Sequence, residues 1–125
     1  MDKPINSKYN VAMAQKIELW NLERLKPYDK NAREHSVEQV AQIAASITEF
    51  GFLNPILVDS NDGIVAGHGR LSAAKELALD VVPVVVLDHL TENQKKAYVL
   101  VDNKLAENAT WNEDLLAEEI IKLNL

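Results

Sequence analysis

The run Val82–Leu90, VPVVVLDHL, limits the folds open to this 125-residue chain more than any other stretch. Its valines stand almost side by side, so a strand built from it has no polar face. Such a strand is buried on both sides. Pro83 is expected at its very start, where a missing N–H costs the sheet least. A strand of this kind needs helices to cover it.

The remaining sequence supplies them. Within SVEQVAQIAASITEFG, Ser36 is placed to cap a helix and Gln39 has the capping-box spacing. Val37, Val40, Ile43, Ala44, Ile47 and Phe50 repeat at helical spacing, and Gly51 is a natural stop. LSAAKELALD, from Leu71, is short and helix-prone. TENQKKAYVLVDNKLAENA opens on a second box, Thr91 and Gln94, with an expected apolar face through Ala97, Leu100, Val101 and Leu105. A last helix runs from a cap at Asn112 to Leu123, with Leu115, Leu116, Ile120 and Leu123 as its stripe. It lacks a C-terminal glycine, so the chain is expected to be part of something longer, or this helix to pack on a partner.

Strand signals fill the gaps. KIELWNLERLKPY places Ile17 and Leu19 on a short strand, then Leu22 and Leu25 on a second extended piece closed by Pro27. NPILVDSNDGIVAG reads as a hairpin, Ile56–Asp59 and Ile64–Ala66, turned by Asn61, Asp62 and Gly63. The expected fold is a small α+β (mixed α/β) domain, a short mixed sheet flanked by helices, with further helices at the C-terminus. Residues 1–16 are expected to be a flexible arm, 17–111 the domain, and 112–125 a terminal helix.

Several function classes drop out. With no cysteine there is no disulfide, thiolate nucleophile or cysteine metal site. No apolar run is long enough to span a bilayer and no targeting peptide is visible. A net charge of −6 argues against this chain gripping duplex DNA alone. His35, His68 and His89 have no zinc spacing, and no acidic cluster resembles a calcium loop. Trp20 and Trp111 read as packing residues rather than base-stacking platforms. The acidic face of the last helix, including Glu113, Asp114, Glu118 and Glu119, reads as solvated.

Chemistry gathers in VAGHGRLSAAKEL, where a strand passes through Gly-His-Gly-Arg into a helix. Gly67 and Gly69 allow positive φ and close approach to a ligand. The first N–H groups of a helix lack internal partners and carry positive potential, which makes an anion site. Arg70 adds a bidentate clamp and His68 a further hydrogen bond or a proton. Phosphate is the expected guest.

Four stretches, in this order, resemble the N-terminal domain of ParB proteins, within the ParB/sulfiredoxin superfamily. Asn31–Arg33 is similar to that family's Asn-Pro-Arg loop. IAASITEFGFLNPILV is similar to its helix-glycine-Gln-Pro-Ile-Leu-Val segment, with Asn54 in place of glutamine. VAGHGRLSAAKEL stands where the family has a Gly-Glu-Arg-Arg phosphate loop. VDNKLAEN stands where it has Glu-Asn-Leu-Gln-Arg. YVLVDNKLAENATW further resembles ParB-like modules associated with phage and bacterial DNA methyltransferases.

The resemblance implies a pocket for CTP or ATP with magnesium. ParB proteins bind and slowly hydrolyse CTP, sulfiredoxin uses ATP, and a related kinase phosphorylates free serine. Carried over by position, Gly67, His68, Gly69 and Arg70 would hold phosphates, with Ser72 capping or touching them and Arg33 reaching in from its loop. Asp102 and Asn103 would face the phosphates and a magnesium ion held mainly by the nucleotide. Asp102 and His68 are the candidates for catalysis. Two departures weaken the match: His68 replaces the loop glutamate, and the second loop arginine is missing. Sulfiredoxin's cysteine chemistry is excluded.

The implied function is a nucleotide-binding regulatory module of a DNA-partition or DNA-modification system, with slow NTPase activity. It would reach DNA indirectly and pair as a homodimer, in bacterial cytoplasm near the nucleoid. Two alternatives stand beside it: a non-catalytic adaptor that positions a DNA methyltransferase, and a metal-dependent nuclease.

Overall fold

The computed structural model describes residues 17–28, 34–108 and 112–123. The elements in chain order are β1 (Ile17–Asn21), a 3-10 turn (Leu22–Arg24), α1 (Val37–Phe50), β2 (Ile56–Asp59), β3 (Ile64–Ala66), α2 (His68–Glu76), β4 (Val81–Leu87), α3 (Glu92–Asn108) and α4 (Glu113–Leu123). The strands form one sheet in the order β1-β4-β2-β3. β4 runs antiparallel to β1 and parallel to β2, and β2 is antiparallel to β3. The sheet is therefore mixed, as expected. The parallel β2–β4 pair requires a crossover, which β3 and α2 supply.

The valine run occupies the inner strand β4. Val82 and Val84 are wholly buried and Val85 nearly so, while Val81 at the strand entrance is 43% exposed. Burial on both faces thus holds for the middle of the strand. Pro83 is the third residue of β4, not its first. Pairing with β2 begins one residue later, at Val84, so the proline sits where β1 is the neighbouring strand in register.

One core joins the sheet to α2, with Trp20, Leu25, Ile56, Val58, Ile64, Leu71, Ala74, Val82 and Val84 in mutual contact. A smaller one joins α1 to α2 through Val40, Ala44 and Ala73. Trp20 is a packing residue, as read from the sequence. Its ring lies under the Arg24 guanidinium, 3.6 Å from the ring centroid, and Arg24 also holds Asp62 at 3.0 Å. Trp111 lies outside the described residues.

Further readings change. The piece after β1 is not extended: Leu22 and Leu25, three apart, follow the 3-10 period, and a lone bridge from Lys26 to Gly63 follows. The stripe of α1 narrows, because Val37 and Phe50 at its ends are 77% and 64% exposed.

The largest change is in α3. Ala97, Leu100, Val101 and Leu105, expected to face the core, are exposed. The inward face carries Lys95 and Val99 instead, and Asp102, itself exposed, borders a cavity. Lys95 is placed there by ion pairs to Asp59 and Glu92, and Val99 by burial. On α4, Leu115, Ile120 and Leu123 are likewise exposed. Among the described residues no helix is long and apolar enough to cross a membrane.

Candidate functional site

The site forms where β3 runs into α2. Gly67 is the N-cap of α2, at φ 109° and ψ 25°. That φ strains any residue with a Cβ, and an added Cβ would also meet the Arg70 side chain at 3.1 Å and Ile56 at 3.2 Å. Gly69 has a different reason to be glycine. Its φ is ordinary, but a Cβ there would stand 2.9 Å from the His35 ring and 3.0 Å from Ile43. One glycine sets the turn, and the other makes room for a neighbouring ring.

The helix begins at His68, three residues before the expected Leu71. Gly-His-Gly-Arg is thus mostly the first helical turn rather than a loop preceding it. The first backbone bond into the helix runs from the Leu71 amide to the Gly67 carbonyl at 3.0 Å. The amides of His68, Gly69 and Arg70 come before it and have no partner within the helix. No side chain caps this end, so positive potential is left facing outward.

A cavity of about 190 Å³ opens there, lined by His35, Gln39, Ile43, Val65 to Arg70, Val99 and Asp102. Arg70 does not point into bulk solvent. Its Nη2 donates to the Pro55 carbonyl at 3.0 Å, while its buried Nε has no hydrogen-bond partner. Burial draws the guanidinium pKa down, against the Asp102 carboxylate and Tyr98, which push it up. A buried N–H without an acceptor costs about 1–3 kcal/mol. An anionic oxygen beside Gly67 would relieve that cost.

A second, more apolar groove of about 430 Å³ runs along α1 and shares Gln39, Ile43 and Arg70 with the first. Phe50, Phe52 and Leu53 form its apolar wall, and Gln42, Ser46 and Asn54 its polar atoms. The pair offers an anion end and a longer end suited to a flat, partly polar group.

His68 lines the cavity with its ring already engaged: its Nε2 accepts from the Tyr28 amide at 3.0 Å. Burial and the nearby His35 hold its pKa below the ordinary 6.5. His35 in turn bonds through Nδ1 to the Gln39 side-chain oxygen at 3.1 Å. Gln39 therefore does not complete the capping box. Ser36 accepts from the Gln39 amide at 3.0 Å, and that half forms alone. At α3 both halves form, with Thr91 and Gln94 exchanging bonds of 2.9 and 3.1 Å.

Of the candidates read from sequence, Gly67, His68, Gly69, Arg70 and Asp102 meet at one cavity. Ser72 does not: it sits in the second turn of α2, exposed, and the cap position belongs to Gly67. Asp102 lies on α3 facing Arg70, with the Tyr98 hydroxyl 3.5 Å away. Asn103 follows it on α3, but its side chain, like the whole of Arg33, lies outside the described residues. His35 and Gln39 were missed. Their signal was faint, a histidine four residues before a glutamine at a helix start.

Comparison with known proteins gives a consistent picture. Residues 6–104 match the model of the ParB N-terminal domain. The ParB-like nuclease domain-containing protein YnaK of Escherichia coli (strain K12) is 55% identical over 75 residues, 60% of this chain and 86% of that protein. The probable chromosome 2-partitioning protein ParB of Deinococcus radiodurans is 37% identical over 97 residues, 74% of this chain. The chain spans about a third of that partitioning protein's length, 33%.

Among solved structures, C-terminally truncated ParB from Caulobacter crescentus, complexed with CTP-gamma-S, superposes with a TM-score of 0.70 at 28% identity. The match covers 85% of this chain and 62% of that one. Sulfiredoxin from Arabidopsis thaliana, at 18% identity and a TM-score of 0.56, shares the fold over 67% of this chain and 97% of its own.

Proposed function

Because this chain belongs to the ParB N-terminal domain family, we propose that it is a nucleotide-binding regulatory module that takes CTP, or a related nucleoside triphosphate, at the cavity headed by Gly67. The observation that carries this reading is the buried, unpartnered Nε of Arg70 at the uncapped end of α2. A phosphate there would accept from Arg70 and from the first amides of the helix, and would meet the positive end of its dipole. The α1 groove then has room for ribose and base along Phe50, Phe52 and Leu53. The CTP-gamma-S complex of the Caulobacter relative supports the choice of nucleotide.

Magnesium fits this site as a companion of the triphosphate, carried by phosphate oxygens, with Asp102 the carboxylate at the cavity rim. Bound there, it would neutralise phosphate charge. Slow hydrolysis belongs to the same reading. Arg70 and the helix amides would steady the phosphates, and Asp102 would face them.

With a net charge of −6, the module serves a DNA-partition or DNA-modification assembly without holding the duplex itself. The exposed stripe of Leu100, Val101 and Leu105 on α3 gives it a surface for a second copy of the chain. An adaptor for a methyltransferase would leave Arg70 Nε unexplained. A nuclease would want carboxylates or imidazoles gathered on a metal. Among the described residues no three His, Cys, Asp or Glu side chains are so placed.

Thermal unfolding with each nucleoside triphosphate, with and without magnesium, tests the reading. A specific nucleotide at a hundredfold excess over its Kd should add about 2.7 kcal/mol, and Arg70→Ala should abolish the gain. No shift with any nucleotide would defeat it.

A further inference from the structure

We propose that His68 makes anion binding at this cavity proton-linked: neutral, it holds the Tyr28 amide, and charged, it releases that amide and joins Arg70 as a second cation facing the ligand. The proposal rests on the nucleotide reading above and concerns how that same site is regulated.

The geometry begins at one nitrogen. His68 Nε2 accepts from the Tyr28 N–H at 3.0 Å. An imidazole that accepts at Nε2 carries its single proton on Nδ1. A proton taken from solvent must therefore land on Nε2. That turns the acceptor into a donor aimed at another donor, and the bond to Tyr28 cannot survive. His68 is also the first residue of α2 and lines the anion cavity, so the freed, charged ring is already beside the ligand's place.

The charges around the ring set the resting state. His35 approaches from the segment before α1, Arg70 from the same helix and Asp102 from α3, all lining one cavity. Asp59, Glu92, Lys95 and Lys96 line a neighbouring cavity with Tyr28. Two basic neighbours oppose a further positive charge in the cavity and one carboxylate favours it. Burial and His35 keep the His68 pKa below 6.5, so the free protein holds Tyr28 at neutral pH. A polyphosphate brings several negative charges within reach and reverses that balance. A ligand that raises a group's pKa binds more tightly as pH falls, by linkage.

Calorimetry of magnesium-CTP binding, between about pH 7.5 and 5.5 and in buffers of different ionisation enthalpy, decides the matter. The comparison is wild type against His68→Gln, whose side-chain oxygen can still accept from Tyr28 but cannot take up a proton in this range. The phosphates titrate near pH 6 themselves, but identically for both proteins, so their effect cancels in the affinity ratio. The wild-type to variant ratio should grow towards acid, by up to about tenfold per pH unit for one proton. Wild type should take up more protons per CTP than the variant, and His35→Gln should retain the difference. Binding with the same pH profile in wild type and His68→Gln would overturn the proposal and leave the nucleotide reading intact. A wild type that binds no CTP at any pH would sink that reading, and this proposal with it. The His68 ring resonance gives a second readout. Its midpoint should lie below the ordinary histidine value without ligand and rise when CTP is added, and a midpoint already raised in the free protein overturns the proposal.

Discussion

Lys95 Nζ donates to the Asp59 carboxylate at 2.9 Å, across 36 positions of sequence. The same carboxylate accepts from the amides of Asn61 at 2.8 Å and Gly63 at 2.9 Å, so one side chain shapes the β2–β3 turn and ties it to α3. Burial alone would push the Asp59 pKa up. The hydrogen bonds from Lys95, Gly63 and Asn61 outweigh it and leave the net shift downward. For Lys95 the bonds to Glu92 and Asp59 outweigh burial and raise its pKa. Both side chains are mostly shielded from solvent, at 13% and 15% exposure, so this pair counts for more than an open surface bridge.

Asp59→Asn should therefore lower stability by about 1–3 kcal/mol, because it leaves a shielded ammonium short of a counter-charge. Denaturant unfolding of the variant, of Lys95→Met and of the double variant gives the coupling. The double variant should be less damaged than the sum of the singles. The depressed carboxylate also sets a pH window. Its contribution is complete above the ordinary value of 3.8 and is lost as pH falls through the lower folded value.

The two glycines of the site should part company on substitution. Gly67→Ala combines a φ of 109° with crowding by Arg70 and Ile56, and should cost about 1–3 kcal/mol. Gly69→Ala meets the tips of His35 and Ile43, which can swing aside, so its cost should stay below about 1 kcal/mol. It should still shrink the cavity. Equilibrium unfolding measures the first difference, and loss of nucleotide-dependent stabilisation in a well-folded Gly69→Ala measures the second.

Much of this was legible in sequence, and what was not has physical causes. The hairpin turn and the start and stop of α1 follow from local chemistry: Asn61 to Gly63, the Ser36 cap and Gly51. The face of α3 does not. Its apolar residues Leu100, Val101 and Leu105 outnumber Val99, so periodicity turns the helix the wrong way. Lys95 faces inward because a partner distant in sequence, Asp59, accommodates it there, and Asp102 is drawn to the cavity wall opposite Arg70. At the site, Gly-His-Gly-Arg was legible as a strand-to-helix junction, and its residues line one cavity. The bond from Tyr28 to His68 joins residues 40 positions apart and leaves no local signal.

Neutral His68 predicts a second pH dependence, in stability without any ligand. Its folded pKa lies below 6.5, so its contribution is complete above that value. It declines as pH falls from there through the folded value, where the unfolded chain binds the proton more readily. Melting temperature should drop over this interval in wild type, and His68→Gln should flatten the drop.

The exposed stripe of α3 and α4 should respond to nucleotide. Light scattering behind size exclusion should report a larger share of dimer with magnesium-CTP than without it. Leu100→Glu and Leu105→Glu, at residues 59% and 63% exposed, should suppress the dimer while leaving nucleotide-dependent stabilisation in place.

The attachment of α3 makes it a lever. Three of its holds, the Thr91 box, the Lys95–Asp59 bond and the burial of Val99, lie in its first half. From Lys95 to Asn108 the helix extends about 20 Å, so a pivot of about 10° at the held end would carry the far end through roughly 3–4 Å. Asp102 sits between pivot and tip, on the wall of the cavity headed by Gly67. An adjustment of about 1 Å there would be roughly doubled at the tip, which lies about twice as far from Lys95.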